Sequence, residues 1–188
     1  MKKFPRRPYR GVRDFWRDVR FLFQNRAKLR QAMGGEMVSF AFRERLMLAV
    51  TAVNDCRYCS YYHAKEALRA NLSEAEIRQM QDGIVDLAPA EELPALLYAQ
   101  HWAESDGRPD PDARQKLVDV YGAEKAEAIE MVLRMIRTGN LLGNTADYIL
   151  YRLSFGRWGE SERDKLQAAD WSNLQRLDQS QGAEDTAV

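Results

Sequence analysis

An all-α fold, a helical bundle, is what this sequence predicts. Apolar residues recur at three- and four-residue spacing along most of the chain, the interruptions are short clusters of Gly, Pro, Asn and Asp, and alternating strand patterns are essentially absent. With 188 residues, 45% hydrophobic and 30% charged, the chain can bury one sizeable core with additional material at both ends. One domain over 1–188 is the economical organisation: a basic amphipathic extension over 1–35, a core over 36–155, and a C-terminal helix with a frayed tail over 156–188.

The elements follow in order. Val12, Phe15, Trp16, Val19, Leu22 and Phe23 mark an amphipathic first helix that ends before Gly34-Gly35. The stretch from Phe40 to Asn54 is apolar on several sides and carries its charges only at Arg43, Glu44 and Arg45, so it reads as a largely buried helix. Asn54 and Asp55, both good cap residues, place the start of the next helix at Cys56. Ser73-Glu-Ala-Glu76 is a capping box that opens a short helix reaching towards Gly83. Pro89 and Pro94 bracket the start of a helix through Leu96, Leu97, Ala99 and Trp102, which breaks at Asp106-Gly107-Arg108-Pro109.

Asp110 or Asp112 opens a further helix to Tyr121. After Gly122, the stripe Ile129, Val132, Leu133 and Ile136 predicts a helix from Ala123 to Thr138, interrupted by Gly139-Asn140 and Gly143-Asn144 before Ile149, Leu150 and Leu153. The remainder forms one helix through Trp171 and Leu177, then frays from Ser180 to Val188. No internal repeat, low-complexity tract or glycine-rich phosphate loop is present.

Formal net charge is zero, yet unevenly placed: residues 1 to 30 carry eleven Lys or Arg against Asp14 and Asp18, while residues 157 to 188 carry seven acids against four bases. The basic arm is read as packing on the core or a neighbouring subunit through Phe15, Trp16, Phe21 and Phe23, and neither nucleic acid nor membrane is expected as a partner. The start of the chain lacks the apolar stretch of a signal peptide, and no apolar run approaches the roughly 18 residues of a membrane span. A cytoplasmic location is the expectation.

The chemistry is expected in Cys56-Arg-Tyr-Cys59-Ser-Tyr-Tyr-His63, which holds both cysteines of the chain. On an α-helix, positions i, i+3 and i+7 lie within about 60° of one another, so the two sulfurs and the imidazole share a face. A thiol attacks as thiolate, and two influences favour that form here: a helix N-terminus near Cys56 and a histidine one turn beyond Cys59. They favour different sulfurs, and position does not choose between them. Whichever thiol is oxidised first, the other can resolve the sulfenic acid into an intramolecular disulfide. Upstream, Glu44 needs a partner, either a neighbouring arginine or a histidine that it orients as general base.

The pattern Glu44-x11-Cys56-x2-Cys59-x3-His63, with Asn54 and Tyr58 in place and Ala64-Lys65-Glu66-Ala67 following, resembles the alkyl hydroperoxidase D-like (AhpD-like) family of the carboxymuconolactone decarboxylase superfamily. The resemblance implies an all-helical fold assembling as a homo-oligomer, trimer or hexamer, and a thiol peroxidase that needs no cofactor. It makes Cys59 the peroxidatic thiol, Cys56 the resolving thiol, His63 the base and Glu44 the relay carboxylate. The implied partners are a hydroperoxide substrate and a dithiol reductant of lipoyl-protein or thioredoxin-like type. Where some members carry a second histidine before the second cysteine, this chain has Tyr58, which cannot share protons near neutral pH as imidazole does.

Other readings compete. Cys56, Cys59, His63 and Glu44 could be four zinc ligands, although structural zinc sites usually complete a C-x-x-C with a distant ligand pair. The only other histidine, His101, reads as a helix residue beside an apolar face. A decarboxylase or lactone-processing enzyme of the same superfamily would not need a paired C-x-x-C. A redox-sensing interaction protein would use the disulfide to alter an interface.

Overall fold

The computed structural model describes residues 4–160 together with Asp164. Among them are eight helices and no strand: α1 (Val12–Gln24), α2 (Arg26–Met33), α3 (Phe40–Asn54), α4 (Arg57–Arg69), α5 (Glu74–Gln81), α6 (Leu93–Glu104), α7 (Pro111–Tyr121) and α8 (Ala123–Leu153). The all-α expectation holds, and none of these helices is long and apolar enough to cross a membrane. The tail helix expected through Trp171 and Leu177 lies outside the described residues. The described residues divide into two compact units, residues 6–145 and residues 4–5 with 146–160.

In the larger unit α3 is the central element, packed against α4, α5 and α6. Leu46, Met47, Leu48, Ala49 and Val50 are consecutive and all buried, which explains why this segment is apolar on every side instead of along one stripe. Around them the core is filled by Leu96 and Trp102 of α6 and by Ile129, Val132 and Leu133 of α8. Ser39 caps α3, its Oγ accepting the Phe42 N–H at 3.2 Å.

The charges of α3 are spent internally. Arg45 Nε donates to Glu76 Oε1 at 2.5 Å and its Nη1 to Glu92 Oε2 at 3.1 Å, tying α3 to α5 and to the residue that precedes α6. Burial pushes the Glu92 carboxyl up, and the Arg45 charge opposes it. Glu76 therefore fills only half of the predicted capping box: its N–H donates to Ser73 Oγ at 3.1 Å, while its carboxylate turns inward to Arg45.

Three boundaries differ from those expected. The amphipathic stretch before Gly34 is two helices, because Asn25 leaves helical geometry (φ −102°, ψ 21°) and its side-chain amide donates to the Phe21 carbonyl at 2.8 Å; a short amide side chain competes for backbone groups in this way. Within that stretch Phe21 packs on the core, whereas Trp16 and Phe23 are exposed. The helix expected to stop at Thr138 continues through Gly139, Asn140, Gly143 and Asn144 to Leu153, because the asparagines bond outward to α3 and leave the α8 backbone intact. The third difference, at Asn54 and Asp55, belongs to the active site.

In the smaller unit, the Phe4 ring lies 5.5 Å from both Tyr148 and Tyr151. Beyond α8 the chain turns through Phe155 and Gly156, both at positive φ, with the Gly156 N–H donating to the Tyr151 carbonyl at 2.8 Å.

Arg45→Met leaves the buried Glu76 and the half-buried Glu92 without their cation and should cost about 3–5 kcal/mol of stability at neutral pH, measured by urea unfolding. An unpartnered buried carboxyl has a raised pKa and binds its proton more readily folded than unfolded, so the deficit should narrow as pH is lowered towards about 5. A deficit that does not vary with pH would contradict this account.

Candidate active site

Two helices meet in a two-residue corner. Asn54 is the last residue of α3, Asp55 takes the left-handed conformation (φ 52°, ψ 47°), and Cys56 is extended (φ −86°, ψ 101°) as the N-cap of α4. Asp is among the few residues that tolerate the left-handed region. Asn54 and Asp55 therefore end one helix instead of capping the next, and the cap is a cysteine: Cys56 Sγ accepts the Cys59 N–H at 3.4 Å.

The two sulfurs form a disulfide, with the Cα atoms 5.3 Å apart. They are not equivalent. Cys56 is fully buried and sits just ahead of α4, so the expected single helical face for both cysteines and His63 is replaced by a cap and two residues within the helix. Cys59 is partly exposed, lies in the first turn of α4 where the dipole favours negative charge, and precedes His63 by one turn. The helix N–H thus serves Cys56, while Cys59 keeps solvent access and stands one turn ahead of His63.

Glu44 projects from α3 to meet His63 of α4. Their Oε2 and Nδ1 atoms are 2.7 Å apart, and both residues are buried, Glu44 at 3% and His63 at 9% exposure. An ionised carboxylate only accepts, so a neutral imidazole paired with it would carry the shared proton on Nδ1 and a lone pair on Nε2. Arg43 Nε stands 3.6 Å from the other carboxylate oxygen, so both partners foreseen for Glu44, an arginine and a histidine, are used. The Tyr62 ring meets the His63 ring edge-on at 5.1 Å, and Tyr58, Tyr61 and Tyr62 are exposed around the site. His101 lies on α6 beside Asp110, with Nε2 3.3 Å from Oδ2, and takes no part. Among the described residues no cluster of three His, Cys, Asp or Glu side chains is arranged to hold a metal ion.

The sequence reading missed the wall that α8 supplies. Asn54 Nδ2 donates to Asn140 Oδ1 at 3.2 Å, Asn140 Nδ2 to Thr51 Oγ1 at 3.1 Å, and Asn144 Nδ2 to the Asn54 carbonyl at 2.7 Å. These bonds fix the end of α3 one residue before the corner. Between the asparagines, Gly143 faces the sulfurs so closely that an added Cβ would stand 2.8 Å from Cys56 Sγ and 4.0 Å from Cys59 Sγ. Asn140, Gly143 and Asn144 occupy i, i+3 and i+4, one helical face; that spacing was the available signal, hidden behind the reading of the Gly-Asn pairs as breaks.

Residues 22–105 match the sequence profile of the carboxymuconolactone decarboxylase family. This segment is similar to that family. It runs from the end of α1 through α6 and contains Glu44, Cys56, Cys59 and His63, while the α8 wall lies beyond the part matched to the carboxymuconolactone decarboxylase profile. No curated protein and no solved structure gives a significant match.

The contact at α8 distinguishes two glycines four residues apart. Gly143→Ala forces a methyl into Cys56 and should destabilise by about 1–3 kcal/mol. Gly139→Ala meets nothing within 4 Å and should stabilise by up to about 1 kcal/mol through helix propensity. Equal responses of the two variants in urea unfolding would show that the wall does not press on the sulfur.

Proposed function

We propose that this chain is an AhpD-like, thiol-dependent alkyl hydroperoxide reductase. The observation that carries this reading is the joined Cys56–Cys59 pair at the head of the same helix that holds His63 against a buried Glu44. In the reduced enzyme His63 Nε2 takes the proton of Cys59, and Glu44 holds the imidazole in the required tautomer and balances the imidazolium. The Cys59 thiolate attacks the terminal oxygen of the hydroperoxide; the O–O bond breaks, the alkoxide takes a proton to leave as alcohol, and Cys59 becomes a sulfenic acid. Cys56 then attacks the Cys59 sulfur, the hydroxyl leaves as water with the Cys56 proton, and the disulfide forms.

Two electrons from a dithiol donor, of lipoyl-protein or thioredoxin type, return both sulfurs to thiols. Partial exposure makes Cys59 the sulfur that peroxide reaches, and burial suits Cys56 to the resolving role. In this reading the enzyme is cytoplasmic, where a reducing environment keeps the pair cycling, and it works as a trimer or hexamer of identical chains. Decarboxylation or lactone chemistry, which the family name suggests, gives no task to a C-x-x-C pair.

Treating the reduced protein with one equivalent of cumene hydroperoxide should consume both thiols, lower the mass by two hydrogens and link Cys56 to Cys59 in peptide maps. Cys59→Ser should abolish turnover, and Cys56→Ser should permit the first oxidation but not the disulfide. Glu44→Gln and His63→Gln should each lower the neutral-pH oxidation rate by about 10²–10⁴-fold, the range for positioned acid–base groups. Unchanged first-step rates in Cys59→Ser, or thiols untouched in the wild type, would overturn the proposal.

A further inference from the structure

A second cavity, of about 280 Å³, lies between α1, the turn after α6, and α8, lined among others by Phe21, Trp102, Asp106, Arg108, Arg134 and Arg137. None of Glu44, Cys56, Cys59 or His63 reaches it. Its walls carry four arginines and two aspartates, since Arg17 and Asp18 complete the lining, an excess of two positive charges.

The two aspartates are already answered. Arg137 donates to Asp18 Oδ2 at 2.8 Å and to Asp106 Oδ1 at 2.5 Å. Burial works to raise the Asp106 carboxyl, yet the hydrogen bond and charge of Arg137, with Arg10 and Arg7, hold it below the ordinary aspartate range. Arg17 is likewise paired, to Asp14 at 2.9 Å.

Arg134 and Arg108 are different: among the described residues neither has an acidic partner within ion-pair distance. The Arg134 guanidinium lies over Phe21, 4.6 Å from the ring centre, and 5.9 Å from that of Trp102. Stacking fixes the guanidinium plane but uses none of its N–H groups, which point from the edge. Trp102 is itself held by the following turn: the Gly107 N–H donates to its carbonyl at 2.8 Å, and Gly107, at φ 77°, lets the backbone lie where a Cβ would be 3.2 Å from the indole.

We propose that this cavity binds a small anion, a carboxylate or phosphate group, held by Arg134 and Arg108 within largely polar walls. The volume falls at the small end of ligand pockets, which span about 300–1,000 Å³, and suits a metabolite-sized molecule better than a nucleotide cofactor. The site is independent of the thiol chemistry, and its occupancy does not require the peroxidase reading.

Calorimetric titration of the full chain at about 0.15 M salt, where unspecific surface attraction is screened, tests the assignment with four probes: benzoate, phenyl phosphate, phenol and inorganic phosphate. Saturable one-to-one binding of benzoate, phenyl phosphate or inorganic phosphate, with phenol much weaker, supports the proposal, and the tightest of the anions identifies the head group. Arg134→Gln should weaken that binding by roughly tenfold or more, the loss of one charge-assisted hydrogen bond. Exposed Arg108→Gln, which removes no core contact, should weaken it as well, and Arg69→Gln, on α4, should not. No saturable binding to about 10 mM would overturn it. So would phenol binding equally well, or binding indifferent to both Arg134→Gln and Arg108→Gln.

Discussion

The hydrogen bond between Glu44 and His63 governs how α3 and α4 are arranged. A carboxylate 3% exposed in a helical core is untenable alone, since the desolvation of an unpaired charge costs several kcal/mol. Meeting it with His63 requires α4 to double back along α3 within a few residues. The tight corner at Asp55 and Cys56 does this, and so the same demand that neutralises Glu44 brings the cysteines to the head of α4. The other charges of α3 face the same requirement and solve it in other directions, Arg45 towards α5 and Glu92, Arg43 back to Glu44.

That corner is held from a third side. Asn140 and Asn144 spend their amides on Thr51, Asn54 and the Asn54 carbonyl, and buried side-chain amides are costly when unpaired. Packing of α8 and geometry of the redox pair are therefore one problem. Gly143 completes it by giving up a side chain where the Cys56 sulfur needs the volume.

Most of the helices were legible because their signals are local. Ser73, Pro94, Asp110 and the stripe through Ile129 and Leu133 each act over one or two turns, and α3, α5, α6 and α7 follow them. The candidate residues were legible for the same reason, being set by spacing in one short segment with one distant carboxylate. Illegible were the features decided by tertiary contact. Asn25 breaks a helix by bonding backward, whereas Asn140 and Asn144 leave one intact by bonding outward, and the residue type is identical in both cases. The Asp55 corner escaped for a related reason, since Asn and Asp serve helix ends as readily as helix starts. The pocket beside Trp102 draws residues from α1, α6 and α8, and no window of sequence contains them together.

Under the proposed thiol chemistry, the crowding of Cys56 sets a direction for repair of the disulfide. An incoming thiolate must approach along the S–S axis, and the Cys56 end is enclosed by the α8 backbone at Gly143. Attack is thereby steered to the Cys59 sulfur, with Cys56 as the leaving group, and the departing thiolate inherits the Cys59 N–H of the helix cap. Under the proposed function, a covalent intermediate with the dithiol reductant would be tethered through Cys59, among the exposed tyrosines of α4, so that the shape the reductant must fit is the surface of that helix instead of the buried sulfur it finally releases.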